Sequence, residues 1–446
     1  MMQLKGPLFQ RRCRMTALFL LVTLWPAITW AQLADRYGLV DDFASAGETG
    51  AIAGVRFPRG SAPVGVRVGS FILQPEASVT AGFDDNVLGT RRARGSAFEQ
   101  TQAVLQAGSD WSRNSLLARL SVSDLRYLDQ PRQSYTDWTA TLGGSYEIGR
   151  DTASLRYTHQ NLIQTPRDLN TPQLDAPIAY RVDNLRATYD ARFNRLTLRP
   201  GLDVSVYSYD DGSVAGQAYL QTYRDRTVLT PGLVAAYELA PQRELIGIVQ
   251  NGVASFRRPL PGALLLDYND ALALGGIDYD GGGLWRIRAL AGYEVRSFSS
   301  PLLKSIQAPV AELTVIVRPT RLTTVTGVVS RRITDSADET TTGVTKTSAQ
   351  LTVDHEYLRN VLLKATGGIS YDSYGRGQGE QILFTAGAGA TWLINRAVRL
   401  TATYDFKVRQ SHISALLGDA AQPSVGQPFG GSYSSNRYGL QISIGL

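Results

Sequence analysis

From about Phe71 to the last residue, apolar and polar side chains alternate in segments of about 10–15 residues separated by turn chemistry. Val398, Leu400, Ala402, Tyr404 and Phe406 interleave with Arg399, Thr401, Thr403, Asp405 and Lys407. Leu196, Leu198, Pro200, Leu202, Val204 and Val206 interleave with Arg195, Thr197, Arg199, Gly201, Asp203 and Ser205. Trp285, Ile287, Ala289, Ala291 and Tyr293 interleave with Arg286, Arg288, Leu290, Gly292 and Glu294. Successive side chains of a β-strand point to opposite faces, so each segment predicts a strand with one apolar face and one that is polar, charged or glycine.

Alternation alone also fits a soluble sandwich with its apolar faces turned inward. Length and connections argue otherwise. The segments match membrane-crossing strands, about 9–11 residues plus overhang. Tight connections fall near Ser112–Asn114, Gly149–Asp151, Asn194–Arg195, Pro241–Gln242, Asp280–Gly282, Pro319–Thr320, Arg359–Asn360 and Asn395–Arg396. Longer polar ones, such as Asp84–Phe98, Ile163–Ala179, Asp210–Leu220, Pro259–Leu266, Asp335–Gly343 and Gln410–Gly431, fall between them. Short periplasmic turns and long extracellular loops are the asymmetry of outer-membrane barrels. The segments predict one all-β transmembrane antiparallel up-and-down barrel of about 18 strands, with 16 to 18 as the range. Val249–Phe256 and Leu322–Ser330 fit worst, because they keep no clear parity. The last segment alternates Tyr438, Leu440, Ile442, Ile444 and Leu446 with Arg437, Gly439, Gln441, Ser443 and Gly445. It resembles the C-terminal assembly signal of outer-membrane proteins, although that signal most often ends on phenylalanine. The expected partners are therefore outer-membrane lipid and lipopolysaccharide, and the barrel assembly machinery.

The first residues read as an export signal. Lys5, Arg11, Arg12 and Arg14 precede the apolar run Met15 to Ile28, and Thr29-Trp30-Ala31 offers a cleavage site. A membrane anchor fits less well, since the run is short and Pro26 interrupts it. Residues 1–31 are thus expected to be removed, 32–65 to form a polar leader or a partial plug, and 66–446 to form the barrel. The one cysteine, Cys13, lies in the removed part, which excludes disulfides and thiol chemistry from the mature chain. The formal charge of +6 drops to +2, because the signal holds four basic and no acidic residues. A balance so close to neutral gives no support to nucleic-acid binding.

Val68-Gly-Ser-Phe-Ile-Leu-Gln-Pro75, followed by Ala77-Ser-Val-Thr-Ala-Gly-Phe-Asp-Asp-Asn86, resembles the opening of the β-barrel porin-2 family. The resemblance implies an outer-membrane barrel. Members of such families often accompany exopolysaccharide synthesis and export, so polysaccharide-secretion components are expected partners by analogy. Physically, Asp84-Asp85-Asn86 fits either a divalent-cation site or, more simply, turn chemistry, in which short polar side chains bond their own backbone.

No catalytic constellation is legible. His-Glu-x-x-His, Gly-x-Ser-x-Gly and a phosphate loop are absent, and His159 and His355 fall on the apolar parity near strand ends. Gly375-Arg-Gly-Gln-Gly379 mimics a dinucleotide motif but reads as a hairpin loop. No enzyme activity, cofactor or metal is expected. The polar parity instead places an excess of basic over acidic side chains in the lumen, by six, with arginine dominant. Arg195, Arg199, Arg286, Arg288 and Arg399 are the candidate solute path. Two readings stand: a basic track for an anion, or cross-strand ladders that fill a barrel. The expected function is passive translocation of a hydrophilic, anionic solute such as an exported exopolysaccharide. A non-conducting scaffold barrel of a secretion complex and an enzyme acting on lipid or polysaccharide are the alternatives.

Overall fold

A computed structural model describes residues 65–168, 174–257, 266–335, 343–374, 379–413 and 431–446. The signal, the leader up to residue 64, Gly375–Gln378 and most of the Gln410–Gly431 loop lie outside them.

In chain order the strands are β1 (Val66–Val68), β2 (Phe71–Asp84), β3 (Ser96–Ser109), β4 (Ser115–Tyr127), β5 (Tyr135–Ile148), β6 (Asp151–Gln164), β7 (Ile178–Phe193), β8 (Leu196–Tyr209), β9 (Gly212–Val214) and β10 (Gln217–Tyr219). There follow β11 (Arg226–Ala240), β12 (Arg243–Phe256), β13 (Tyr268–Asp280), β14 (Trp285–Phe298), β15 (Ile306–Thr320), β16 (Thr323–Thr334), β17 (Val344–Leu358), β18 (Val361–Tyr374), β19 (Gly379–Leu393), β20 (Val398–Ile413) and β21 (Tyr433–Gly445). The short pair β9–β10 lies within one loop. The other long strands pair antiparallel with their chain neighbours, and β8 pairs with β11. β21 pairs back onto β2, from Glu76 opposite Gly445 to Asp84 opposite Arg437, and closes a barrel of 18 staves. β1 covers the remaining edge of β2, with Val66 opposite Leu73.

Connections at one end, the turn end, are two to five residues long, while those at the loop end run to nineteen. Tight turns need unusual backbone: Asn194 and Gly149 adopt φ of 52° and 66°. The expected tight connections all fall at or beside these turns.

The amphipathicity is inverted relative to a soluble protein. Leu202, Leu233, Leu440 and Ile442 lie exposed on the outside, whereas Gln100, Gln102, Ser205, Gln250 and Ser443 are buried on the inside. Exposed aromatic rings lie on the outer face near both ends, with Tyr146, Phe193, Tyr357 and Trp392 at the turn end and Phe83 and Tyr371 at the loop end. Such girdles mark the two interfaces of a membrane barrel.

One stretch of inner wall departs from the polar rule. Val234, Ile246, Ile248, Leu272, Leu274, Leu290 and Val310, from the neighbouring staves β11 to β15, form a buried apolar cluster. At its centre Leu274 faces Gly292 and Leu290 faces Gly276 across β13 and β14. A Cβ on either glycine would stand 1.8 Å from a carbonyl oxygen of the partner strand. Only glycine allows so close a crossing, which bends the wall and folds its inner side chains onto one another. Ile246 and Ile248 carry this core onto the inner face of β12, and beyond them Asn251 and Ser255 on the outer face and Ala254 and Phe256 on the inner one blur its parity.

Candidate solute path

The candidate arginines sit at one height rather than along the axis. Arg199, Arg286, Arg288 and Arg399 each lie within four residues of the turn end of β8, β14 and β20. Arg195 is on the β7–β8 turn, exposed, outside the strands. The structure thus gathers four of the five into a partial collar at the turn mouth.

Most of the collar is paired with carboxylates. Arg286 donates from Nε and Nη2 to Asp278, at 3.1 and 3.0 Å. Arg199 grips Asp190 through Nε and through Nη2, the latter at 3.0 Å. Arg399, buried in the wall, bonds Glu76 of the first stave. Arg288 faces Asp278 in register. Higher on the wall, Asp203 accepts from Arg186 Nε at 2.9 Å, from Asn184 Nδ2 at 2.9 Å and from Ser205 Oγ at 3.0 Å. These are forked, charge-assisted ladders. The side chains of Arg286 and Arg199 remain 31% and 23% exposed.

The expected basic excess does not hold. Register puts Glu76, Asp84, Asp137, Glu238, Glu244, Asp270 and Asp278 on the inner face as well, against only Arg226, Arg332 and Arg437 as further bases. The inner wall is close to neutral, as interlocking ladders require.

Sequence reasoning also missed the loop mouth, where residues just after β6 and β16 bond to the inner wall. Arg167, after β6, donates to Asp84 Oδ1 at 2.6 Å and to the Asn86 carbonyl, while Arg409 Nη1 donates to the Arg167 carbonyl at 3.0 Å. Asp168 beside it is buried, and burial pushes its carboxyl up to about 6 despite a bond from the Thr165 N–H and the nearby Lys407 and Arg409. Asp84-Asp85-Asn86 acts as turn chemistry: the Asn86 N–H bonds Asp84 Oδ1 at 3.0 Å, and Asp85 accepts twice from Asn436 at 2.7 Å. On the other side Asp335, after β16, accepts from Arg226 at 3.0 Å and Arg296 at 2.8 Å. The only hint of this was an acid or a base in a long loop, and Asp84 lies 83 residues from Arg167 and Arg226 lies 109 from Asp335.

A closed 18-stave barrel, apolar outside and polar inside, matches the family model described as "Putative beta-barrel porin 2" over residues 59–425. The chain belongs to this family. The match reaches far beyond the twenty-odd residues at the first stave that carry the resemblance in sequence. No curated protein matches the chain significantly. Among solved structures, this porin-2 chain is similar to a BenF-like porin from Pseudomonas fluorescens Pf-5, with 11% identity, a TM-score of 0.45 and coverage of 85% of this chain and 100% of that one. It is similar to OpdO from Pseudomonas aeruginosa, with 14% identity, a TM-score of 0.44 and 85% and 98% coverage. It is similar too to the FrpB iron transporter from Neisseria meningitidis, with 9% identity, a TM-score of 0.43 and 84% and 81% coverage. The fold is that of a porin-like β-barrel.

Proposed function

We propose that this porin-2 barrel passes a hydrophilic, carboxylate-bearing solute by diffusion, with an exported acidic polysaccharide as the solute class, and that it performs no catalysis. The observation that carries the reading is the collar at the turn mouth. Arg199 and Arg286 are held by Asp190 and Asp278 yet stay partly exposed, so a solute carboxylate can exchange with a wall carboxylate without leaving a guanidinium bare. Because the wall is nearly neutral, the anion preference is modest.

The test is the reversal potential across a planar bilayer in a salt gradient. Wild type should favour anions slightly. Asp190→Asn with Asp278→Asn frees two guanidinium charges and should raise that preference several-fold, most at low ionic strength where screening is weakest. A cation-selective wild type, or a double variant with unchanged selectivity, would sink the exchange model. A second reading, a closed scaffold, is favoured by Arg167 and Asp335, which bond across the loop mouth; no measurable conductance from folded protein would select it.

A further inference from the structure

We infer that the inner wall at the loop end holds a second anion site, built by Arg226, Arg296 and Tyr268, which Asp335 of this same chain occupies as an internal ligand. The inference rests on the proposed acidic solute only for what would enter the site. The site itself stands on geometry.

Arg226 opens β11, Tyr268 opens β13 and Arg296 lies near the end of β14; β13 and β14 pair directly and β12 alone separates them from β11, so neighbouring staves present the three residues at the loop end. Both guanidinium groups are stacked on rings, Arg226 on Tyr207 at 4.1 Å and Arg296 on Tyr268 at 4.4 Å. Stacking occupies the faces of the planar groups and leaves their edges, where the N–H donors are, for an acceptor. Arg226 Nη2 and Arg296 Nη1 both bond the Asp335 carboxylate, and the Tyr268 hydroxyl bonds it at 3.3 Å. Arg296 is also anchored by Asp270 at 2.9 Å, so it keeps its place if Asp335 leaves. The Nε–H groups of Arg226 and Arg296 are buried and have no hydrogen-bond partner among the described residues. Two fully buried arginines with spare donors around one carboxylate form a carboxylate-binding site.

Asp335 differs from its hosts. It comes from a connection rather than a stave, and at 19% exposure its side chain is the solvent-facing member of the group. An incoming carboxylate has the same shape and charge and would meet the same donors. Asp335 therefore competes with the solute, and together with Asp270 it keeps the two buried guanidinium charges balanced while the site is otherwise empty.

The experiment measures glucuronate binding to folded full-length protein in detergent by calorimetry, with glucose and inorganic phosphate as separate arms. Asp335→Asn should bind glucuronate at least tenfold more tightly than wild type and should ignore glucose. Adding Arg296→Gln to Asp335→Asn should abolish the gain. Phosphate binding as tightly as glucuronate would overturn the carboxylate assignment, and equal glucuronate affinity in wild type and Asp335→Asn would overturn the competition. Asp335→Ser serves as a second emptying variant should Asn disturb folding. Since no step requires conduction, a non-conducting barrel that binds glucuronate would defeat the channel reading and leave this one standing.

Discussion

Leu440 and Gln441 are neighbours near the middle of β21, yet one points into lipid and the other into the lumen, where Gln441 Nε2 donates to Ser78 at 3.0 Å. Leu440→Arg should destabilise the inserted barrel by about 2–4 kcal/mol, while Gln441→Arg should cost much less because its charge reaches water and polar groups. Comparing the folded fraction of the two variants in lipid vesicles against urea checks this; equal midpoints would mean that the parity is misassigned. Parity of this kind was readable wherever one face is uniformly apolar, as in β8, β14, β20 and β21. It failed for single charges on β13. There the inward set mixes Asp270 and Asp278 with Leu272 and Leu274, while the outward set is mostly Ala and Gly, so neither face reads as polar. The basic excess expected from sequence came from missing such acids.

At the scale of elements, β12 and β16 were the segments with no clear alternation, and both are staves. On β12 the inner face carries Ile246 and Ile248, part of the apolar core behind Gly276 and Gly292, while on β16 the outer face mixes Thr323, Gly327 and Arg331 with Val325 and Val329. Periodicity cannot reveal a strand that is apolar on both sides. The loop after β6 was illegible for another reason, since nothing local marks Arg167 as the partner of Asp84, 83 residues away. That loop should respond to pH. The Asp168 carboxyl is raised to about 6 when packed and returns to the ordinary, lower range when the loop is released. The packed loop therefore holds its proton more tightly, and its stability is fullest at low pH and is lost as pH rises toward and through about 6. Single-channel recordings should show longer closed dwells at pH 5 than at pH 7.5. Asp168→Asn, which cannot ionise, should keep the long dwells at both values; identical dwells in wild type at both pH values would exclude Asp168 as the sensor.

For the whole molecule, the decisive contact is the seam between the first and last long staves. β21 bonds β20 on one side and β2 on the other. Deleting Tyr438–Leu446 leaves two staves with open backbone edges facing hydrocarbon, where each unpaired group costs several kcal/mol. The truncated chain should fail to reach the compact, heat-modifiable form on unboiled gels, and normal migration would show that a shorter barrel can close. The barrel, its strand number and its closing segment were legible in sequence because a membrane imposes the same inverted pattern on every stave. The collar, the loop-mouth bonds and the anion site were not, because they depend on register between staves far apart in the chain.

That seam also dictates an order of events. Ser78 and Gln441, bonded across it, are 363 residues apart, whereas every other pair of long staves joins segments close in sequence. Bringing such distant points together costs about 5 kcal/mol in chain entropy by the logarithmic law for loops, far more than any hairpin requires. Hairpins can form as soon as their residues are available, but the cylinder cannot close until the last strand has been made and has found the first. Through that interval the growing sheet carries two sticky edges, and the edge of another copy is as good a template as its own. Gly82 is what lets the ring close there: a side chain at this position would strike the Tyr438 carbonyl and the Phe98 ring, so any larger residue would leave the two edges open for longer.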